Sequence, residues 1–358
     1  MRKYLIAIPM LVWSMQSCHK DDDVKIDQPA RDTIIQNTTV FDPTFVIQGQ
    51  QPVTADIRPI DLKKGDLIAV CAASNAITES EISRGVEIIK SWGLNVIMAS
   101  NLYEQDGRYA GTLQQRINGM QEVINNPEVR AIIMARGGYG AGQILPYIDW
   151  KGMYDSPKWL IGYSDITALH TTINNMGIET IHGPMVKDLS NDEGSTDRLR
   201  NALFGNPENI EIATNSYCIK GQATGRLVGG CLSMLYSMSG TPYDLNTQDA
   251  ILFIEDTGES NYSVDRMMLN LQQSGKLQHI KGLIVGDFIG CTQGIDLPIN
   301  EIIHKYADPL KIPVVYGIKS GHNTVNTPLI MGRKVTITVD SKTAKVEFEK
   351  SPPRSQVT

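Results

Sequence analysis

The chain has 358 residues, of which 41% are hydrophobic and 20% charged, and its net charge at pH 7 is −6. This length is sufficient for two domains that each bury a core, and the composition is ordinary for a globular protein. The negative charge and the lack of any block rich in Lys and Arg argue against nucleic-acid binding.

The N-terminus has the features of a secretory signal peptide. The apolar stretch Tyr4–Trp13 follows a positively charged start and is too short to cross a bilayer. The next segment, SMQSC, resembles a bacterial lipobox, in which the cysteine is acylated and becomes the mature N-terminus. Because no Ala-x-Ala-like site is present, we predict that residues 1–18 are a lipoprotein signal peptide and that Cys18 carries the lipid.

The segment after the lipobox is polar. Residues 19–57 lack clear periodicity and are predicted to form a flexible tether. The acidic patch HKDDD at its start resembles the surface-export signal of some bacterial lipoproteins, although a short solvated linker would have the same composition. These features predict a cell-envelope protein, lipid-anchored to the bacterial outer membrane, on its periplasmic or its surface-exposed face.

Apolar strands alternate with helical patterns in the next part of the chain. The predicted strands are DLIAVCA, NVIMAS, VRAIIMARGG, KWLIGYS and TIHGP. The two helices between them are TESEISRGVEIIKSWG, which opens with a capping-box spacing, and TLQQRINGMQEVINN, which ends before a proline. This alternation indicates a parallel sheet covered on both faces. We predict an N-terminal α/β domain of the flavodoxin or glutamine-amidotransferase type over residues 58–205.

The composition then changes. Later segments such as GQATGRLVGG, AILFIEDTGE and KVTITVD are richer in glycine and β-branched residues. We predict a smaller, more β-rich α/β C-terminal domain over residues 206–350. In parallel sheets ligands bind beyond the carboxyl ends of the strands, and the motifs ARGGYGAG and GYSD both end strands of the first domain.

Ser164 stands between a predicted strand and a predicted helix, in WLIGYSDITALH. At such a corner the hydroxyl points into a cleft, and N–H groups at the helix N-terminus can stabilise negative charge. Gly162 relieves the crowding of the sharp turn. However, the usual elbow is Gly-x-Ser-x-Gly and its fifth position is Ile166 here, so spacing alone favours a helix-capping serine.

A nucleophilic serine needs a base, and the base needs an orienting acid. His322 lies in the polar loop KSGHNTVNTPLIMG, and His182, at the end of a predicted strand, is its rival. Glu255 ends the apolar strand AILFIE, where a carboxylate is costly unless it is paired. The alternative acids are Asp256, Asp287 and Asp165.

Six motifs extend the pattern, in the order ARGGYGA, GYSDIT, HGPM, LFIED, YSVDRMM and SGHNTVNTPLIMG. Together they resemble the LD-carboxypeptidases, a serine-peptidase family that includes the microcin-immunity hydrolases. The resemblance extends over residues 60–345, and RGGYG followed by GYSDIT is far more specific than a lone serine motif.

The resemblance implies a catalytic triad spread over both domains. Ser164 would be the nucleophile, His322 the base and Glu255 the acid. The backbone N–H groups of Gly138 and Asp165 would form the oxyanion hole. Many relatives have an acidic or small polar residue and a Pro-Asn pair after the histidine, where this chain has NTVNT. That departure puts the substrate contacts beside the histidine in doubt.

The resemblance also implies an activity: a serine carboxypeptidase that hydrolyses an L,D-peptide bond and releases D-alanine from peptidoglycan tetrapeptides. Arg136 and Tyr139, in ARGGYG, are candidate substrate-binding residues. Arg136 would contact the substrate carboxylate, or it is an ordinary surface arginine. The alternative functions are an amidase of a peptide–nucleotide, as in the immunity branch, and a surface lipoprotein that binds muropeptides without cleaving them.

Neither a metal nor another cofactor is expected. The five cysteines form no Cys-x-x-Cys pair, and no cluster of His, Cys and carboxylates has the spacing of metal ligands. The resemblance and the predicted lipid anchor imply two partners, a peptidoglycan peptide and the membrane that holds the lipid. A homodimer is suggested by analogy with relatives alone.

We predict that Cys18→Ala moves the protein from the membrane fraction to the soluble fraction, because the change removes the acylated thiol. Cell fractionation and labelling with a fatty-acid analogue measure this, with the wild-type chain as the reference. Unchanged fractionation of the variant, together with an unlabelled wild-type protein, would contradict the prediction.

Overall fold

The computed structural model describes residue 53, residues 56–291 and residues 297–350. Cys18, the predicted signal peptide and nearly all of the predicted tether lie outside the described residues. None of the helices that are described combines the length and the apolarity needed to cross a bilayer.

The structure alternates strands and helices as far as β5 and is richer in strands beyond it. The strands are β1 (Leu67–Cys71), β2 (Asn95–Met98), β3 (Val129–Met134), β4 (Trp159–Gly162), β5 (Thr180–His182), β6 (Ile210–Ala213), β7 (Gly221–Cys231), β8 (Ile251–Thr257), β9 (Gly282–Ile289), β10 (Val314–Tyr316), β11 (Leu329–Met331), β12 (Lys334–Val339) and β13 (Thr343–Phe348). The helices are α1 (Glu79–Ser91), α2 (Leu113–Asn125), α3 (Ala141–Ile144), α4 (Lys151–Asp155), α5 (Thr167–Asn175), α6 (Glu193–Leu203), α7 (Leu232–Met238), α8 (Asn261–Gln273) and α9 (Ile299–Ala307).

These strands form two sheets. The first has the order β11-β5-β4-β3-β1-β2, and the pairs among β1 to β5 are parallel. The second has the order β10-β9-β8-β7-β12-β13-β6; the pairs among β7 to β10 are parallel and the remaining pairs antiparallel. The predicted α/β fold class, with a parallel N-terminal sheet and a more β-rich C-terminal part, is confirmed.

Local sequence signals start the first two helices. The backbone N–H of Thr78 donates to Oε2 of Glu81 at 2.8 Å, and that of Thr112 donates to Oε1 of Gln115 at 2.9 Å. Each helix therefore begins with a capping box, which satisfies N–H groups that have no partner within the helix.

The core is built from strands buried on both faces. In β1, Ile68 and Val70 belong to an apolar cluster that also contains Phe253 of β8, whereas Ala69 and Cys71 belong to a cluster on the other face. Because successive side chains of a strand point to opposite faces, one strand contributes to two cores. The apolar layer shared by the two sheets holds them together.

One strand departs from the predicted domain boundary. Leu329–Met331 falls in the segment predicted as C-terminal domain, yet β11 pairs antiparallel with β5 of the first sheet. The chain then passes directly into β12 of the second sheet. A boundary drawn from composition could not show this return, because the strand is only three residues long.

A buried ion pair fixes the point where the chain crosses between the sheets. Nε of Arg333 lies 3.0 Å from both carboxylate oxygens of Glu179, and the two side chains are 2% and 0% exposed. Arg333 lies between β11 and β12, and Glu179 directly precedes β5. The pair therefore holds the crossing segment against the first sheet.

We predict that Glu179→Ala lowers the free energy of unfolding by about 3–5 kcal/mol, because it leaves a buried guanidinium without its partner. Lys345→Ala is the control, since it removes only an exposed ion pair with Glu211 and should cost at most about 1 kcal/mol. Denaturant unfolding of both variants measures the difference. Equal effects of the two changes would contradict the prediction.

Candidate active site

Ser164 occupies a sharp turn between β4 and α5. β4 ends at Gly162, and a 3₁₀ turn from Ser164 to Ile166 leads into the helix. The φ angle of Ser164 is +66°, a left-handed conformation that costs a non-glycine residue about 1–3 kcal/mol. Such strain is typical of a serine held on a nucleophile elbow.

Ile166 takes the position at which the generic elbow has its second glycine. A Cβ atom at Gly162 would lie 2.9 Å from Cγ2 of Ile166, too close for any other residue without movement. Gly162 therefore provides the room that the bulky isoleucine needs, and the turn forms although the generic motif is incomplete.

His322 connects the serine to a buried acid. It lies in the loop between β10 and β11, with Nε2 2.8 Å from Oγ of Ser164 and Nδ1 2.8 Å from Oε2 of Glu255. Glu255 belongs to β8 and its side chain is fully buried, whereas 16% of the His322 side chain is exposed. The structure thus brings the three predicted residues into one hydrogen-bonded line that joins the two sheets.

The surroundings of His322 favour its protonated form. Burial lowers the pKa of this imidazole, but the hydrogen bond and the negative charge of Glu255 outweigh burial, with further contributions from Asp256 and Asp188, so that the pKa is raised. Burial raises the pKa of Glu255, and the hydrogen bond from His322 opposes this effect. A base of this kind takes a proton readily and is stabilised once it is charged.

The loop Gly137–Gly140, between β3 and α3, passes close to Ser164. A Cβ atom at Gly137 would lie 3.4 Å from Oγ of Ser164. Gly138 has a φ of +126°, which side-chain-bearing residues rarely adopt. Gly138 and Asp165 therefore lie on the two backbone segments that flank the hydroxyl, although their role as oxyanion donors stays a prediction.

Neither ring nitrogen of His182, the rival base, has a hydrogen-bond partner among the described residues, so His182 does not contact the hydroxyl of Ser164. It is fully buried in β5, with its ring centroid 5.0 Å from that of Phe253 and 6.0 Å from that of Tyr163. Burial lowers the pKa of its imidazole well below the ordinary value. His182 contributes to the packing beneath the elbow, while His322 holds the hydrogen bond to the serine.

The alternative acids are engaged elsewhere. Asp256 accepts a hydrogen bond from the backbone N–H of Ser233 at 2.7 Å, and Asp287 accepts one from Nδ2 of Asn323 at 3.0 Å. The carboxylate of Asp165 accepts a hydrogen bond from Oγ of Ser74 at 2.6 Å. Glu255 is therefore the one of these four carboxylates that forms a hydrogen bond with the imidazole, and its role as the orienting acid stays a prediction.

Tyr163 has a contact that its place in the sequence does not predict. Its ring lies edge-on to that of His322, with the centroids 5.0 Å apart and the planes at 70°. A perpendicular arrangement is a favoured geometry for aromatic pairs. The only indication in the sequence is that Tyr163 directly precedes Ser164 in GYSD. That position does not predict a contact with His322, which lies far along the chain.

The two predicted substrate-binding residues contact neighbouring protein groups. Nη1 of Arg136 donates to the carbonyl of Ala76 at 3.2 Å and lies 3.8 Å from Oε1 of Glu81. Tyr139 is 49% exposed, and its ring centroid is 6.2 Å from that of Tyr109. These contacts do not identify a substrate group, so both assignments stay predictions.

No metal-binding arrangement is found in residues 56–291 and 297–350. Within these ranges no three or more His, Cys, Asp and Glu side chains are grouped so that they could hold an ion. The cysteines among them are free thiols: Cys71, Cys218, Cys231 and Cys291.

Comparison with known proteins places these features in a family. Residues 68–183 match the LD-carboxypeptidase N-terminal domain, and residues 224–337 match the LD-carboxypeptidase C-terminal domain. The first range contains Ser164, and the second contains Glu255 and His322.

Several relatives are similar over most of their length. A Bacillus subtilis protein named probable murein peptide carboxypeptidase is 35% identical over 303 residues, which are 81% of this chain and 94% of that protein. The muramoyltetrapeptide carboxypeptidase of Oxalobacter formigenes has a crystal structure that matches with a TM-score of 0.73 and 26% identity, over 80% of this chain and 99% of that one. An MccF-like protein of Bacillus anthracis matches with a TM-score of 0.72 and 26% identity, over 82% and 100% of the two chains.

We predict that the rate at which a fluorophosphonate labels Ser164 falls with decreasing pH, with a midpoint above the ordinary histidine value of about 6.5. His322 must be neutral to accept the proton, and its raised pKa means that this form is lost as the pH falls through that value. Glu255→Gln should move the midpoint to lower pH, because it removes the negative charge that stabilises the imidazolium.

Labelling rates of both proteins across the pH range measure this shift. Asp340→Ala, in the turn between β12 and β13, is the control and should leave the midpoint in place. The same midpoint in the Glu255→Gln variant and the wild-type protein would show that Glu255 does not control the base.

Proposed function

The chain belongs to the LD-carboxypeptidase family, and from this premise we propose that it is a serine carboxypeptidase that releases a terminal D-amino acid from peptidoglycan-derived peptides. The observation that carries the proposal is the line of hydrogen bonds from Ser164 through His322 to Glu255, at 2.8 Å each. That arrangement is the one required to activate a serine for attack on a carbonyl.

The geometry supports acyl transfer in two halves. Oγ of Ser164 attacks the scissile carbonyl while Nε2 of His322 takes the hydroxyl proton. The imidazolium is stabilised by Glu255 and gives its proton to the leaving amine of the D-amino acid. Water then attacks the acyl-enzyme with His322 again as the base, and Ser164 is released.

The oxyanion of each tetrahedral intermediate would be bound by the backbone N–H groups of Gly138 and Asp165. Donors that are fixed before the reaction lose little in reorganisation, and removing one such donor in other enzymes costs about 10²–10³ in turnover. This chemistry needs no group beyond the chain's own residues and water.

The names of the relatives support the choice of substrate. The B. subtilis protein is named for murein peptides and the O. formigenes protein for muramoyltetrapeptide. We therefore propose a murein tetrapeptide as the substrate, cleaved at its L,D bond. The lipid on Cys18 would hold the enzyme at the outer membrane, where it would meet such peptides, and a homodimer stays a suggestion from analogy.

We predict that the mature chain converts tetrapeptide muropeptides into tripeptides with release of D-alanine, measured by mass spectrometry of a muropeptide mixture. EDTA should leave the rate unchanged. Ser164→Ala and His322→Ala should each lower turnover by several orders of magnitude, and the double variant should be little worse, because triad members act as a unit.

Three outcomes would overturn these assignments. Loss of turnover in His182→Ala with near-normal turnover in His322→Ala, both folded, would make His182 the base. Hydrolysis of a peptide–nucleotide but of no muropeptide would favour the amidase alternative. Binding of muropeptides with neither cleavage nor fluorophosphonate labelling would favour a non-catalytic binding protein.

A further inference from the structure

The loop Gly137–Gly140 combines catalytic placement with an unusually permissive sequence. Three of its four residues are glycines, and Gly138 and Gly140 have φ angles of +126° and +141°. Glycine loses more backbone freedom on ordering than any other residue. A loop of this composition holds one conformation only if other groups fix it.

The carboxylate of Asp165 fixes the end of this loop. The residue is 1% exposed, and its Oδ2 accepts hydrogen bonds from the backbone N–H of Ala141 at 2.8 Å and from Oγ of Ser74 at 2.6 Å. Ala141 directly follows the loop, and Ser74 lies beyond the end of β1. A single oxygen therefore ties the elbow after β4 to the segments that follow β1 and β3, through charge-assisted bonds that are stronger than neutral ones.

Arg116 reinforces the same junction from α2. It is 2% exposed, and its Nη1 donates to the carbonyls of Gly140 at 3.0 Å and Ala73 at 3.3 Å. Burial raises the pKa of Asp165, whereas the bonds from Ser74 and Ala141 and the charge of Arg116 oppose this change. A buried cation and a buried anion thus hold the last residues of the loop together.

Asn75 fixes the middle of the loop. Oδ1 of Asn75 accepts a hydrogen bond from the backbone N–H of Tyr139 at 3.2 Å. The backbone N–H of Asn75 donates to the carbonyl of Gly137 at 3.4 Å. Gly138 lies between these two contacts. The direction of its N–H is therefore set by side chains and backbone outside the loop.

We propose that the Asp165 side chain is a positioning residue, which holds the Gly138 loop at a fixed distance from the N–H of Asp165 and so sets the width of the oxyanion hole. One residue then has two separate tasks: its amide binds the oxyanion, and its carboxylate places the second donor. The assay with substrate rests on the proposed function, but the structural argument does not. Oxyanion donors must lie within a few tenths of an ångström of their working distance.

The test compares Asp165→Ala with Asp165→Asn. Both keep the backbone N–H of residue 165. The alanine variant should lose about 10- to 100-fold in kcat, because a displacement near 1 Å can cost 10²-fold, while KM stays within about twofold, because the loss falls on the transition state. The asparagine variant should recover most of the rate, since its amide oxygen can accept from both the N–H of Ala141 and the hydroxyl of Ser74.

Asp340→Ala is the matched control. Its carboxylate likewise accepts from a backbone N–H and a hydroxyl, both of Thr343, at 2.8 and 3.1 Å, but in the turn between β12 and β13. This variant should keep wild-type kcat and KM. An equal loss in Asp340→Ala and Asp165→Ala, or a raised KM with unchanged kcat in Asp165→Ala, would overturn the proposal.

Labelling of Ser164 by a fluorophosphonate separates this proposal from the proposed function. The label reaction also builds negative charge on oxygen and needs no natural substrate, so Asp165→Ala should slow it by the same factor. Slowed labelling with no muropeptide cleavage by the wild type would refute the proposed function and support the positioning role. If circular dichroism shows that Asp165→Ala is unfolded, Ser74→Ala is the deciding variant. It removes one hydrogen bond to a charged acceptor and should slow labelling about 3- to 10-fold. Labelling of Ser74→Ala at the wild-type rate would refute the proposal.

Discussion

The hydrogen bond between His322 and the carboxylate of Glu255 is the contact on which the rest of the site depends. A fully buried carboxylate is costly unless a partner compensates its charge, and here the partner comes from a loop that follows a different strand. The same imidazole must also reach a serine on the other sheet. Both demands are met only if the carboxyl end of β4 faces the carboxyl end of β8.

The interface between the sheets is built around the helix that carries the serine. The N–H of Cys231, at the end of β7, donates to Oγ1 of Thr167 in the first turn of α5 at 3.0 Å. At the other end of α5, Nη2 of Arg226 donates to the carbonyl of Asn174 at 2.8 Å. Groups of the second sheet thus form hydrogen bonds at both ends of the helix, and nearly all of its residues are buried. These contacts therefore hold the elbow against the sheet that contains Glu255.

The features that the sequence predicted are those with a local or periodic cause. A capping box needs only two residues three positions apart, and a buried strand appears in the sequence as a short apolar run. The strands β1 to β5 and the first two helices could therefore be predicted. The choice between His322 and His182 could not be made from the residues alone, because one ends a predicted strand and the other lies in the loop after one. It depends on burial, since His182 is enclosed by Phe253 and Tyr163 while His322 keeps an exposed edge. The carboxylate role of Asp165 was also out of reach, because its partner Ser74 is 91 positions away.

The return of β11 to the first sheet has a consequence for how the protein is made. A growing chain emerges with its N-terminus first, and parallel sheets with distant partners form slowly. Until residue 331 has been synthesised, β5 is an open sheet edge, which is a site for aggregation. Ser164 likewise precedes its hydrogen-bond partner His322 by 158 positions. A growing chain that has not reached His322 therefore contains Ser164 without its hydrogen-bond partner, and the arrangement of Ser164, His322 and Glu255 forms only after the loop that follows β10 has been synthesised.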